Sequence, residues 1–331
     1  MAQSGMLLDV QDLKVWFPAR TGFLSRNKTY VRAVDGVSFK VAPREIFCLV
    51  GESGCGKTTI ANTLVRLVKP TSGKVFFNNI DMLSLRKEDM RKLRQNIQMI
   101  FQDPYESLNP HMTIFDIVAE PLEVNRLVDR PDEKDTRVAQ ALEAVGLIPA
   151  QSFFDSYPHQ LSGGQRQRVA IATALALKPA LIVADEPVSM LDISVRAGIL
   201  KLMLALRNEF NLTYLFITHD LALARHLVDR IAVMYLGRIV EMGDTKSVIE
   251  TPLHPYTRAL ISVVPVPNPK AKRKKMLLAG EIPSPIDIPS GCRFHTRCPI
   301  AHEICSKEQP ELQEVRPGHY VACPFADLQN A

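Results

Sequence analysis

The sequence contains no hydrophobic run long enough to cross a lipid bilayer. A membrane-spanning helix needs roughly eighteen or more consecutive apolar residues, and no stretch of the 331 residues approaches that length. The N-terminus also lacks the basic region and apolar core of a secretory signal. We therefore expect a cytosolic protein, and any role at a membrane would depend on a partner that spans it.

Strong charge of either sign is lacking as well. The net charge of +5 is small for this length. Charge is spread along the chain except at one basic knot, a run of positive residues formed by Lys270, Lys272, Arg273, Lys274 and Lys275. A solvated linker is the first interpretation of such a knot. Contact with anionic lipid headgroups or nucleic acid is the alternative, but we expect no nucleic-acid partner.

Cysteines are few, and a reducing cytosol argues against disulfides between them. Of the six, four lie near the C-terminus, namely Cys292, Cys298, Cys305 and Cys323. Their spacing matches neither a paired zinc ribbon nor the usual ferredoxin run, so spacing alone is weak evidence. Four thiols in a proline-rich tail can form a four-thiolate cage around a metal ion or cluster, which would hold the loops of the tail together. Inert free thiols are the alternative.

No internal repeat is visible, so the chain contains a single copy of each of its motifs. Residues 6–50 alternate like short strands, and strands return after residue 180, separated by helical patterns. Between them, residues from 104 to about 178 have helical patterns. Beyond residue 252 frequent prolines forbid long regular elements.

These patterns predict an α/β protein with two parts. The first, at 1–252, is a domain with a mixed sheet, N-terminal antiparallel strands and a helical subdomain inserted at about 104–178. The second, at 253–331, is a small irregular appendage that contains the four clustered cysteines.

A glycine-rich loop follows the compact apolar strand at Ile46–Val50 and precedes a helical pattern at Thr58–Val68. This order of strand, loop and helix is the one that a phosphate-binding loop requires. The glycines let backbone N–H groups converge on phosphate oxygens, Lys57 neutralises the β- and γ-phosphates, and the hydroxyl of Thr58 binds Mg²⁺. We predict that this loop binds ATP through Gly51, Ser53, Gly54, Cys55, Gly56, Lys57, Thr58 and Thr59.

Two carboxylates end a second apolar strand, where Asp185 and Glu186 follow residues 181–184. Alone, an apolar run that ends in two acids could be the edge of any strand. Downstream of a phosphate-binding loop, the run predicts that Asp185 holds Mg²⁺ through water and that Glu186 polarises the attacking water.

The string Leu161-Ser162-Gly163-Gly164-Gln165-Arg166-Gln167-Arg168 resembles the signature sequence of ATP-binding cassette (ABC) proteins. Ser162 stands where a helix begins, so that its hydroxyl, nearby N–H groups and the helix dipole can bind a γ-phosphate. The resemblance implies an ABC nucleotide-binding domain that dimerises. It also implies which residues contact the ATP of the opposite subunit: Ser162, Gly163, Gly164 and Gln165.

Other stretches resemble further elements of this family, in the family's order. Gln102 resembles the glutamine of the Q-loop, residues 189–192 resemble the D-loop, and His219 resembles the switch histidine. The resemblance implies that Gln102 helps to hold Mg²⁺ and senses a transmembrane partner. It also implies that His219 reaches the γ-phosphate and the water beside Glu186. Singly, such a glutamine is more often a surface residue and such a histidine more often structural.

The family usually stacks adenine on an aromatic ring near the start of its domain. Phe17 fits this role best, and Trp16 and Tyr30 are its rivals.

Three C-terminal stretches resemble the ATPases of oligopeptide and dipeptide importers: Leu253–Leu260, Gly280–Pro285 and Gly291–Pro299. The resemblance then covers nearly the whole chain. It implies a peripheral ATPase on the cytoplasmic face of the cell membrane, paired with a similar but non-identical ATPase, two transmembrane permeases and an extracytoplasmic solute-binding protein. Some members of this branch hold a four-iron, four-sulfur cluster here, which puts iron–sulfur ahead of zinc for the four cysteines.

Peptides are the first predicted cargo, and nickel or oligosaccharides are alternatives, since relatives in this branch carry all three. A soluble ABC ATPase that acts on nucleic acid or ribosomes is the alternative from a different class. Such proteins usually carry a long coiled coil or two cassettes, and neither occurs in this sequence. The intact Glu186 and His219 argue against a purely regulatory ATP-binding subunit.

Overall fold

The computed structural model describes residues 5–19, 29–264, 276, 278 and 280–326. The basic knot at 270–275 lies outside the described residues. None of the helices in this part of the chain is both long and apolar enough to cross a membrane.

Strands and helices alternate along most of the chain. In chain order the strands are β1 (Leu8–Pro18), β2 (Tyr30–Val41), β3 (Ile46–Val50), β4 (Ser72–Phe77), β5 (Ile80–Asp81), β6 (Ile97–Ile100), β7 (Leu181–Asp185), β8 (Thr213–Thr218), β9 (Arg230–Tyr235), β10 (Arg238–Asp244), β11 (Gln313–Arg316) and β12 (His319–Val321). The helices are α1 (Lys57–Leu64), α2 (Lys87–Arg94), α3 (Pro104–Ser107), α4 (Ile114–Val124), α5 (Pro131–Ala144), α6 (Gly163–Leu175), α7 (Ile193–Phe210), α8 (Leu221–Leu227), α9 (Thr245–Glu250) and α10 (Pro255–Ser262).

The chain divides into two compact units. The first unit comprises the described residues of Met1–Val41, Glu45–Leu83 and Ile217–Ala331, and the second comprises Ala42–Arg44 and Ser84–Phe216. The C-terminal appendage therefore belongs to the same unit as the glycine-rich loop. The domain boundary at residue 252, which rests on composition, stays a prediction.

A four-stranded antiparallel sheet in the first unit has the order β2-β1-β4-β5. β1 pairs with β2 along its whole length, from Leu8 opposite Val41 to Pro18 opposite Tyr30. Alternate residues of β2, such as Phe39, are buried, as expected for a strand with one face on the core. The predicted N-terminal antiparallel strands are thus confirmed.

Five other strands of the first unit are neighbours in the order β11-β12-β10-β9-β3. β3 runs parallel to β9, with Phe47 opposite Arg230, whereas β9, β10, β12 and β11 pair antiparallel in turn. Every residue of β3 is buried, which is typical of a strand with both faces covered. The glycine-rich loop follows this buried strand, so its starting point is held rigidly.

In the second unit, β6 runs parallel to β7, with Ile97 opposite Leu181 and Ile100 opposite Ala184. β8 lies beside β7. Between β6 and β7, where every residue is described, the regular elements are all helical, from α3 to α6. The helical insertion predicted from the sequence is therefore present.

Candidate nucleotide site

The glycine-rich loop ends at Gly56, which caps the N-terminus of α1. Gly56 has a φ of 105°, and a Cβ there would lie 2.1 Å from the carbonyl oxygen of Ala33. A side chain would therefore collide, and glycine is required. α1 has neither a side-chain cap nor an acidic residue in its first turn. Its first N–H groups and the positive end of its dipole can therefore bind an anion.

Lys57 places a positive charge inside this loop. The side chain is buried, and its Nζ donates to the carbonyl oxygens of Gly51 at 2.7 Å and Glu52 at 3.0 Å. A buried ammonium group needs such acceptors because its desolvation is costly. The next residue, Thr58, is exposed, so its hydroxyl can contact a metal ion carried by a nucleotide.

Glu186 and Gln102 meet at one edge of the second unit. Asp185 ends β7, and Gln102 lies just beyond the end of β6. Because these strands are parallel, their carboxyl ends emerge on the same side. Gln102 Nε2 donates to Glu186 Oε2 at 3.3 Å. Glu186, His219 and Gln102 are the residues predicted to act in catalysis, and the structure brings Gln102 and Glu186 together.

The backbone at Glu186 is unusual, since it adopts the left-handed region with a φ of 46°. This conformation is uncommon for residues other than glycine and is found at functional sites. The carbonyl oxygen of Glu186 accepts a hydrogen bond from Ser189 Oγ at 3.0 Å. Arg196 Nη2 donates to the carbonyl oxygen of Ser189 at 3.1 Å. These contacts hold the chain that follows Glu186.

The signature sequence begins α6. Gln165 N–H donates to Ser162 Oγ at 3.3 Å, and Ser162 N–H donates to Gln165 Oε1 at 2.9 Å. This reciprocal pair is a capping box. At Gly164, a Cβ would lie 2.7 Å from Val195 Cγ1, so a small residue is needed there. Ser162 is exposed at this helix terminus, where a phosphate from another molecule can approach.

His219 follows β8 and is exposed in the first unit. The turn after it is fixed by Asp220, whose N–H donates to Thr218 Oγ1 at 3.0 Å. Asp220 Oδ1 accepts from the N–H of Ala222 at 2.8 Å. His219 is therefore followed by a hydrogen-bonded turn into α8.

The predicted site residues are divided between the two units. Lys57, Thr58 and His219 belong to the first unit, whereas the signature and the carboxylates of β7 belong to the second. Thr58, Asp185 and Gln102 offer a hydroxyl, a carboxylate and an amide oxygen, which are donors that Mg²⁺ prefers. Their assembly around one ion stays a prediction.

The aromatic candidates for adenine differ in their surroundings. Phe17 and Tyr30 are 39% and 38% exposed. Trp16 donates its Nε1–H to Asp35 at 3.1 Å, and the guanidinium of Arg32 lies 4.9 Å from the centre of its ring. One face of Trp16 is thus already covered by a cation, which favours Phe17 and Tyr30. The choice of Phe17 stays a prediction.

The four C-terminal cysteines line one cavity of about 520 Å³, together with apolar side chains that include Phe294. Burial raises the pKa of Cys292 and Cys298, and it raises the pKa of Cys323 to about 11. Across the described ranges, no group of three or more His, Cys, Asp or Glu side chains is arranged to hold a metal ion. The predicted metal site is therefore not observed as a ligand set, although its cysteines share a cavity.

Sequence reasoning overlooked Arg166, which it treated only as part of the signature. Its guanidinium lies 3.8 Å from the centre of the Tyr105 ring, and its Nη2 donates to the carbonyl oxygen of His159 at 3.3 Å. Arg166 is 7% exposed. This residue joins α6 to α3, just beyond Gln102. An arginine in the first turn of the signature helix was visible in the sequence, but its aromatic partner was not.

Family models match two parts of the chain. Residues 34–189 match the model described as "ABC transporter", and residues 240–305 match "Oligopeptide/dipeptide transporter, C-terminal region". Among solved structures, a dimeric post-hydrolysis state of the ATP-binding cassette MJ0796 bound to ADP and Pi is 31% identical, with a TM-score of 0.63 over 72% of this chain and 98% of that one. CbiO1 from Clostridium perfringens, part of the transporter complex cbiONQ, is 28% identical, with a TM-score of 0.63 over 75% of this chain and 92% of that one.

Curated relatives extend the similarity to nearly full length. The oligopeptide transport ATP-binding protein AppF of Bacillus subtilis (strain 168) is 49% identical over 97% of this chain and 98% of that protein. The oligopeptide transport ATP-binding protein OppF of Salmonella typhimurium is 48% identical over 98% of each. The chain therefore belongs to the family of ABC transporter ATP-binding proteins, in the branch that carries the oligopeptide/dipeptide transporter C-terminal region.

Proposed function

We propose that this chain is the ATP-hydrolysing, energy-coupling subunit of an importer for dipeptides or oligopeptides. The observation that carries the proposal is its near full-length similarity to oligopeptide transport ATP-binding proteins, at 49% identity over 325 residues in one case. The match of residues 240–305 to the peptide-transporter C-terminal region supports the same branch. As a member of the ABC family the chain is an ATPase.

ATP would bind first through the glycine-rich loop. The N-terminus of α1 presents N–H groups to the phosphates, and Lys57 would exchange its contacts with the carbonyls of Gly51 and Glu52 for phosphate oxygens. Thr58, Asp185 and Gln102 would hold Mg²⁺, which when bound supplies positive charge to the β- and γ-phosphates.

Glu186 is the proposed general base for the attacking water. Its Oε2 already accepts a hydrogen bond from Gln102, which orients the carboxylate. A positioned carboxylate of this kind typically contributes a factor of about 10²–10⁴ in rate. His219 would contact the γ-phosphate. Because Gln102 contacts Glu186, movement of the Q-loop can change the orientation of the Glu186 carboxylate.

The signature helix is proposed to complete the ATP site of a second ATPase subunit. Ser162 and the N-terminal turn of α6 would donate to the γ-phosphate held by the partner's loop. We propose that the partner is a similar but non-identical ATPase. Both would act on two permeases at the cytoplasmic face of the membrane, and an extracytoplasmic binding protein would deliver the peptide.

We also propose that the four C-terminal cysteines hold a four-iron, four-sulfur cluster. The support is that all four line a single cavity, which is also lined by the apolar side chains Phe294, Ile300 and Phe325. Thiolates around an apolar pocket are the donors that such clusters use. Anaerobically purified protein should then be brown and contain iron and sulfide. Cys292→Ser should lower both contents, whereas Cys48→Ala, in buried β3, should not. Colourless protein without metal would contradict this proposal.

Transport is tested with the reconstituted complex of both ATPases and both permeases in lipid nanodiscs. Phosphate release should rise when peptide-loaded binding protein is added, and Lys57→Ala should abolish the rise. If binding protein loaded with nickel or oligosaccharide stimulated phosphate release and peptide-loaded binding protein did not, nickel or oligosaccharide would be the cargo instead of peptide. Stimulation by nucleic acid or ribosomes alone would contradict an importer.

A further inference from the structure

The short loop between Cys292 and Cys298 docks on the remainder of the first unit through an arginine. Arg293 forms an ion pair with Asp35 of β2, and both side chains are 6% exposed. Arg293 also donates to the carbonyl oxygen of Leu236. A paired charge at this depth is held in one geometry, so the loop has a defined position.

A second arginine of the same loop reaches the glycine-rich loop. Arg297 Nη1 donates to Glu52 Oε2 at 3.0 Å, and Arg297 Nη2 lies 3.5 Å from Glu52 Oε1. The side chains of Arg297 and Glu52 are 9% and 27% exposed. The pair is thus largely shielded from water. Charge interactions in such a shielded position are stronger than those at an exposed surface.

Tyr256 of α10 holds Glu52 through its main chain. The Tyr256 hydroxyl accepts a hydrogen bond from the N–H of Glu52 at 3.0 Å. Tyr256 is fully buried, and its ring centre lies 4.8 Å from that of Tyr235 and 5.4 Å from that of Phe294. The C-terminal appendage therefore contacts both the backbone and the side chain of one residue in the glycine-rich loop.

Glu52 is an unexpected residue in a loop that binds a polyanion. It directly follows Gly51, and its carbonyl oxygen contacts Lys57 Nζ at 3.0 Å. An uncompensated carboxylate on a residue of this loop would offset the positive charge that attracts phosphate. Arg297 supplies the opposite charge from the C-terminal appendage.

We infer that Arg297 is a positioning residue of the nucleotide site, which neutralises Glu52 and, with Tyr256, holds the glycine-rich loop in the conformation that receives a nucleoside triphosphate. The inference rests on the proposed ATP-binding role of that loop. It assigns to the C-terminal appendage a direct part in nucleotide binding.

The test measures binding of ATP, ADP and adenosine to the full chain in the presence of Mg²⁺. Arg297→Met should weaken ATP binding about tenfold, within the usual range for couplings between sites. The loss should be smaller for ADP and absent for adenosine, because the exposed charge of Glu52 acts on phosphates. Adding Glu52→Gln to Arg297→Met should restore ATP binding, and Arg297→Lys should retain most of it. Tyr256→Phe should also weaken ATP binding.

Lys307→Met is the matched control, since it removes one positive charge from an exposed ion pair with Glu303 in the same appendage. It should bind ATP like the unaltered chain. The inference would be overturned if Arg297→Met matched this control, or if it weakened binding of adenosine as much as ATP without rescue by Glu52→Gln. If the unaltered chain bound no ATP, or bound it equally well with Lys57→Ala, the proposed function would fail and the inference with it.

Discussion

Glu241 is the buried anchor that ties α10 to β10, and its replacement should loosen the C-terminal appendage. Glu241 is fully buried. Its Oε1 accepts from Leu253 N–H at 2.8 Å, and its Oε2 accepts from His254 N–H at 2.8 Å. His319 Nε2 lies 2.7 Å from Oε1. One side chain thus joins β10, the start of α10 and β12.

Glu241→Leu keeps an apolar body but removes every acceptor. Each buried N–H left without a partner costs about 1–3 kcal/mol, so the two N–H groups together cost about 2–6 kcal/mol. Most of this cost should be paid locally, where α10 begins. At the lower limit, a loss of about 2 kcal/mol raises the equilibrium constant for local opening of α10 roughly thirtyfold.

Hydrogen exchange of the α10 amides in the full chain measures this opening directly. Glu241→Leu should speed exchange across Pro255–Ser262 by at least roughly thirtyfold, and Glu241→Gln, which keeps one acceptor oxygen, should lie between it and the unaltered chain. The control is Glu314→Leu, because Glu314 also accepts a backbone hydrogen bond, from Gly318 N–H at 2.7 Å, but is exposed. Equal effects of Glu241→Leu and Glu314→Leu on exchange would show that burial of the Glu241 hydrogen bonds does not stabilise α10.

Three further changes have defined outcomes. Glu186→Gln should slow phosphate release by at least about a hundredfold while ATP binding is retained, and unchanged steady-state hydrolysis would remove Glu186 from its role. Burial raises the pKa of Cys55, and the charge of Lys57 lowers it less strongly. N-ethylmaleimide should therefore label Cys55 more slowly than free cysteine at pH 7.5. Once labelled, the chain should no longer bind ATP, and full activity after complete labelling would contradict this. Burial lowers the pKa of His254 from 6.5 to about 4. As the pH falls, His254 is therefore protonated in the unfolded chain before it is protonated in the folded chain. The free energy of unfolding should be unaffected by this group above about pH 6.5 and should decrease as the pH drops towards 4. His254→Asn keeps an acceptor for the N–H of Tyr256 but does not titrate, so its melting temperature should depend less on pH in this window.

Local signals made much of the fold predictable. The glycines before Lys57, the apolar run before Asp185 and the capping pattern at Ser162 each depend on a few neighbouring residues. Such patterns specify a turn, a strand end or a helix start without knowledge of the rest of the chain. The structure places all of these elements where the sequence predicts them.

Contacts across long sequence separations were not predictable in the same way. Arg293 and Asp35 lie 258 positions apart, and Arg297 and Glu52 lie 245 apart. Neither arginine has a local pattern that marks its partner, since an arginine in a polar, proline-rich stretch is usually solvated. Only the packing of the appendage into the first unit shows which acids they meet.

The contacts of Glu241 and Glu52 together change the interpretation of the C-terminal appendage. Glu241 fixes the first residues of α10, α10 presents Tyr256 to the main chain of Glu52, and Arg297 binds the side chain of Glu52. Loosening α10 at Glu241 should therefore weaken ATP binding as well as hydrogen-exchange protection, although Glu241 touches no residue of the glycine-rich loop in any of these contacts. If Glu241→Leu opened α10 but left ATP affinity unchanged, Tyr256 would be a passive neighbour of the loop, and Arg297 alone would account for the coupling.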